Sequence, residues 1–167
     1  MQSKFDAFET MLDEGSALKM LREATAGAED GELFFERRRS EGLVFDDGSI
    51  KTASYDASEG FGLRAVNGEV AGYAHSSEIS EAALKRAVAT ARLAVGDGGG
   101  SYADGPIPTN RKLYTDDDPI AGASFPVKIE TLREIDAFVR DLDSRVVQVS
   151  ASMAAAIQEV VILRPDG

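Results

Sequence analysis

Residues 32–75 read ELFFERRRSEGLVFDDGSIKTASYDASEGFGLRAVNGEVAGYAH. Through this stretch apolar side chains tend to alternate with polar ones, the period of a half-buried strand. Two dipeptides punctuate it, Asp47-Gly48 and Asn67-Gly68. Both favour the positive φ angles of a type I′ turn, which reverses one antiparallel strand into the next. The pattern predicts a meander of about five antiparallel strands. Gly60, Gly62 and Gly72 fall inside it, where glycine marks a bulge or a close approach of other backbone.

Downstream the period changes to that of a helix. Ser80 is placed as an N-cap, and Ile79 before it with Leu84 after it supplies a hydrophobic staple. Leu84, Ala87, Val88, Ala91 and Val95 then form one apolar stripe. Residues 96–124 are rich in Gly, Pro and Asp and read as a loop. A second helix is expected from Phe125-Pro126 to about Ser144, with Pro126 tolerated in the first turn. Two strands follow in the sequence, Val146 to Ser152 and Ala156 to Leu163, separated by a small-residue bend.

Upstream, Phe5, Phe8, Met11 and Leu12 recur at helical spacing, and Gly15-Ser16 breaks the pattern. Ser16 is then the expected cap of a second short helix carrying Leu18, Leu21 and Ala24. The sum is a single α+β domain over residues 1–167: a helical arm (1–31), the meander and its helix (32–95), the loop (96–124), and a helix with a strand pair (125–167). Helices are expected on one face of the antiparallel sheet. The chain closes on Val160-Val161-Ile162-Leu163 and then Pro165-Asp166-Gly167, a turn with no strand after it. An unpaired strand edge is a liability, so the expectation is that the partner strand lies in the continuation of a longer protein.

A chain of 167 residues can bury about 70% of the surface it exposes when unfolded, enough for a real core. Hydrophobic residues at 43% and charged residues at 28% exclude disorder of the whole chain. Eighteen basic against twenty-nine acidic residues give a net charge of −11, which disfavours direct nucleic-acid binding. With no Cys there is no disulfide, no thiolate ligand and no thiol nucleophile, a composition that fits a cytoplasmic protein. The N-terminus lacks the basic and apolar segments of a signal peptide, and no apolar run is long enough to span a membrane.

Motifs that would carry chemistry are scarce. His75 is the only histidine, so no His/His metal motif can form within the chain. A lone imidazole has many structural uses and is not assigned catalysis. Asp116, Asp117 and Asp118 before Pro119 lack the spacing and glycine of a calcium loop and read as a solvated turn. Gly60-Phe61-Gly62 sits in a strand pattern with no helix behind it, unlike a dinucleotide fingerprint, and Gly98-Gly99-Gly100 lacks the Lys of a P-loop. Arg37, Arg38 and Arg39 would point to alternate faces of a strand, flanked by Glu36 and Glu41, and fit ion pairing.

The segments FFERRRSEGLVFDDGSIKTASYDASEGFGLRAVNGEVAGYAHSSEISEAALKRAV (34–88) and KIETLREIDAFVRDLDSRVVQVSASMAAAIQEVVILRPDG (128–167) resemble the N-terminal part of the bacterial TldD/PmbA family, also called modulators of DNA gyrase, and lie closer to the TldD subunit. The resemblance implies a zinc metallopeptidase that pairs with a sister subunit as a heterodimer, or self-associates, and cuts small or unfolded peptides. Its zinc ligands, an HExxxH motif and a later cysteine, match no position here. The expectation is therefore a substrate-cradling and subunit-pairing portion, without catalytic or metal residues and without a cofactor of its own, the catalytic C-terminal domain and its zinc belonging to the full-length protein. Gly60, Gly62 and Gly72 would allow close backbone approach of a peptide, and Arg64 and His75 would meet its carboxylate or carbonyl groups. The alternative is a non-enzymatic interaction module that binds protein partners through its sheet edges.

Overall fold

The computed structural model describes residues 12–96, 115 and 117–166. The helix expected around Phe5 and Phe8, the triglycine at 98–100 and Asp116 lie outside the described residues. Elements run in the order α1 (Glu14–Ala24), β1 (Asp30–Asp46), β2 (Ser49–Asn67), β3 (Val70–Ser76), α2 (Glu81–Val95), α3 (Phe125–Leu142) and β4 (Ser150–Leu163). The strands form an antiparallel four-stranded sheet in the order β3-β2-β1-β4. The fold is α+β, as the alternating texture of the sequence implies.

The strand count differs from the sequence reading. Three strands, not five, make the meander, because β1 and β2 run for 17 and 19 residues through segments that look like breaks. Residues 51–58 of β2 are exposed at every position, so neither face leaves an apolar period there. The C-terminal pair is likewise one strand, β4, which passes straight through Ala154-Ala155-Ala156. Small side chains at those positions mimic a bend in sequence without making one.

Both turns are tight reversals, with one shift of register. Asp47 and Gly48 have φ of 49° and 80°, both positive as a type I′ turn requires. The second loop consists of Gly68-Glu69 and not Asn67-Gly68, with Asn67 pairing to Val70. Only Gly68 carries a positive φ there, 58°, the mark of a type II′ turn with glycine at the first central position.

The chain divides into two compact units, Met1–Arg37 with Ser58–Asn110 and Glu159–Gly167, and Arg38–Ala57 with Arg111–Gln158. In the first, α1 and α2 bury Ala17, Met20, Leu21, Leu84, Val88 and Ala91 against Leu33, Phe35, Phe61, Leu63, Ala65 and Leu163 of the strands. Each fully buried Leu or Phe contributes about 2 kcal/mol. Helix α2 starts where the sequence places it: the Ser80 hydroxyl accepts from the Ala83 N–H at 3.1 Å, and Ile79 and Leu84 are both buried. Helix α1 starts earlier than expected, because Asp13 and not Ser16 is its cap; the Asp13 carboxylate accepts from the Ser16 N–H at 2.7 Å. A carboxylate there also answers the positive end of the helix dipole, which a serine cannot.

The second unit has a smaller apolar core, Leu43, Phe45 and Leu132 with Ile50, Ala151 and Met153 packed on it. Charged groups complete it. Lys128 is 5% exposed, and its ammonium donates to Glu41 and to the Ile120 carbonyl, each at 2.6 Å. Arg39 pairs with Asp118 at 3.0 Å, and Arg140 bridges Asp136 and Asp47. The Asp136 and Asp47 carboxylates raise the Arg140 pKa further. Ion pairing of Arg37 and Arg39 thus holds as read from sequence, Arg37 donating to Glu59 within the first unit.

Candidate functional site

Alternation along β2 and β3 sorts the first unit's residues onto two faces. The register pairs Gly62 with His75, Arg64 with Tyr73, and Ala65 with Gly72. Phe61, Leu63, Ala65 and Ala74 go to the helix-covered core. Gly62, Tyr73 and His75 go to the other side, where with Gly60, Phe34 and Glu36 they line a cavity of about 310 Å³. The cavity exists because two consecutive positions on this face of β2 lack side chains, leaving a gap in the layer that flanking strands wall in.

The floor is tight. A Cβ on Gly60 would lie 2.5 Å from the Ser76 carbonyl oxygen, so nothing larger than glycine fits beneath the end of β3 without moving backbone. A Cβ on Gly62 would lie 2.9 Å from the Tyr73 hydroxyl, so the tyrosine leans across the gap. Tyr73 is 62% exposed, and its ring centroid lies 5.8 Å from that of His75. An exposed aromatic pair beside a glycine floor offers apolar contact with a polar tip, the chemistry of a recognition surface. Ser58, Ser76 and Ser77 add hydroxyls, and Glu59 at the rim is held by Arg37 at 3.2 Å.

Of the five residues singled out in the sequence, three are brought together: Gly60, Gly62 and His75. Arg64 is on the same face, but its guanidinium is engaged by Asp30 at 2.9 Å and Glu32 at 3.1 Å. Partial burial lowers its pKa, and these two carboxylates outweigh that and raise it overall. Gly72 faces the opposite way. A Cβ there would lie 2.4 Å from the Ala91 carbonyl oxygen, so this glycine serves helix packing and lies apart from the cavity. Tyr73 and Phe34 were not singled out; strand alternation from His75 would have found Tyr73, two residues before it on the same face.

A larger cavity, about 440 Å³, lies between α1 and α2 over Met20, Val88 and Ala89. Its rim is closed by its own ion pairs, Lys85 with Glu81 at 2.6 Å and Arg92 with Glu23 at 3.9 Å. The smaller cavity, with its glycine floor and aromatic wall, is the better candidate site. Neither contains a set of zinc ligands: among the described residues no three His, Cys, Asp or Glu side chains gather as metal ligands do, and His75 is the chain's only histidine. No described helix is long and apolar enough to cross a membrane.

Residues 31–95 match the family model described as PmbA/TldA metallopeptidase domain 1. Proteins named metalloprotease TldD homolog are similar over most of the chain: 32% identical over 81% of it in Haemophilus influenzae, and 29% over 82% in Buchnera aphidicola of Acyrthosiphon pisum. The chain spans 29% of the length of each of these curated relatives. A crystal structure described as a modulator of DNA gyrase, from Bacteroides thetaiotaomicron, matches 93% of the chain and 37% of its own with a TM-score of 0.64 at 17% identity. TldE from Thermococcus kodakarensis matches 88% of the chain and 34% of its own with a TM-score of 0.52, also at 17% identity. These two likenesses are of fold.

Proposed function

The chain belongs, through the first domain matched over residues 31–95, to the PmbA/TldD family, and from that premise we propose that it is the peptide-cradling part of a zinc-dependent metallopeptidase. The observation that carries this reading is the open cavity on the sheet face opposite α1 and α2, floored by Gly60 and Gly62 and walled by Phe34, Tyr73 and His75. A glycine floor lets an extended peptide approach strand backbone closely, and a single cavity takes one side chain at a time. Binding of that kind depends on main-chain shape more than on sequence, which suits unfolded or small peptide substrates.

The chain's residues bind and orient; none is assigned catalysis. The resemblance places the zinc ligands in an HExxxH motif and a cysteine, and this chain, with one His and no Cys, does not fit that set. Zinc would be held by residues other than these, which bind and orient the substrate. A sister chain is the proposed partner, in keeping with a fold neighbour named TldE. Among the described residues the sheet ends in the edge strands β3 and β4, which also supports the alternative of an interaction module.

Calorimetric titration of the chain with an unstructured peptide tests the reading. Wild-type protein is expected to bind, and Gly62→Val, which fills the floor and displaces Tyr73, to weaken binding by about tenfold or more. Equal affinity for the two proteins would overturn it.

A further inference from the structure

Helix α3 buries one mixed face and leaves an apolar stripe exposed beside it. Leu132, together with Lys128 and Asp136, faces inward within the second unit. Val127, Thr131, Ile135, Phe138 and Leu142 follow one another at intervals of four, four, three and four residues. At about 100° per residue they fall in an arc roughly 80° wide, centred about 100° away from the buried set. Val127 is 55% exposed, Ile135 41%, Phe138 65% and Leu142 67%. Together they leave on the order of 400 Å² of contiguous apolar surface, the size of the largest patch on a typical monomer, which is often functional.

The edge of the stripe selects the partner. Glu134 and Asp141, seven residues apart along that edge, are exposed and make none of the ion pairs formed by the described residues. Glu130, beyond them, is held by Arg133 at 2.5 Å. Four- and three-residue spacing of apolar side chains is what a helix needs to pack along another helix, and flanking charges set partner choice. We propose that this face of α3 docks an amphipathic helix of a partner protein whose apolar stripe is edged by Lys or Arg at seven-residue spacing.

A second copy of this chain fits poorly. Antiparallel pairing of α3 with itself would bring Glu134 of one copy near Asp141 of the other, and like charges at that position repel. An anionic membrane surface is disfavoured by the same two carboxylates and by the net charge of −11.

Two synthetic helical peptides test the proposal, both with Leu along one stripe, one edged by Lys and one by Glu. Fluorescence anisotropy with the 167-residue chain is expected to show binding of the Lys peptide and none of the Glu peptide. Phe138→Gln, which keeps the net charge and substitutes an exposed side chain, should weaken binding by about tenfold or more. Glu134→Gln with Asp141→Asn should weaken it a few-fold and flatten its salt dependence. Circular dichroism of each variant confirms that α3 is retained. Failure of the Lys peptide to bind, equal binding of both peptides, binding that survives Phe138→Gln, or a dimer of the free chain in sedimentation that Phe138→Gln dissolves would each overturn the proposal.

Discussion

Replacing Gly72 by alanine adds one methyl group where the structure has no room for it. The new Cβ would sit 2.4 Å from the Ala91 carbonyl oxygen and 3.1 Å from the Ala91 Cα and carbonyl carbon. All three are helix backbone, which cannot swing aside as a side-chain tip can. Carbon and oxygen need about 3.3 Å, so α2 must retreat from β3 by nearly 1 Å or the strand must bow. Either motion opens the contacts of Ala87, Val88 and Ala91, which lie on the buried stripe. Overpacking of this kind costs about 1–3 kcal/mol. In a urea melt, with a slope of about 2 kcal/mol per molar, the midpoint should fall by roughly 0.5–1.5 M. Gly48→Ala is the control, since nothing lies within 4 Å of its Cβ and only its φ of 80° is at stake. That change should cost about 1 kcal/mol through backbone strain alone. An unchanged midpoint for Gly72→Ala would refute the close packing of α2 on β3.

Ser80→Ala should cost about 1 kcal/mol, because the Ala83 N–H loses its acceptor at the start of α2; a urea melt with unchanged slope checks it. Lys128→Met should destabilise by about 2 kcal/mol by leaving the partly buried Glu41 without its cation, and adding Glu41→Gln should restore part of that in a double-mutant cycle. Asp118 gives the acid side of the stability profile a slope. Burial raises its pKa, but the Ala121 and Ile120 N–H groups and the Arg39 guanidinium outweigh this and hold it below the usual value. Its folded pKa is thus below its unfolded one, so its stabilisation is present above about pH 4 and is lost as pH falls through the folded value. Asp118→Asn should flatten stability against pH in that window.

The first turn and the α2 cap were legible because each is written in local chemistry: Asp47-Gly48 for a reversal with positive φ, Ser80 with Ile79 and Leu84 for a helix start; the second turn was legible only to within one residue, since its loop is Gly68-Glu69. The strand lengths were not. Residues 51–58 are exposed on both sides and carry no burial period, and Ala154-Ala155-Ala156 is too small to show one, so continuous strands looked broken. The cap of α1 was misplaced by three residues because Asp13 and Ser16 are both good acceptors, and the helix dipole favours the carboxylate. The site was half legible. Glycines at 60 and 62 announced a gap in the sheet, but which side of the sheet each glycine serves depends on register, and Gly72 turned out to seat a helix. Arg64 looked available because its partners Asp30 and Glu32 are more than thirty residues away in sequence.

If the glycine-floored cavity holds extended peptide, binding must register on the residues that line it. Two-dimensional NMR of the isotopically labelled chain, titrated with an unstructured peptide in the presence of a metal chelator, reads this residue by residue. Saturable shifts of the Gly60, Gly62, Tyr73 and His75 amides are expected, with those of α2 such as Ala87 and Ala91 unmoved. Absence of any shift, or saturable shifts confined to residues outside that cavity, would contradict it.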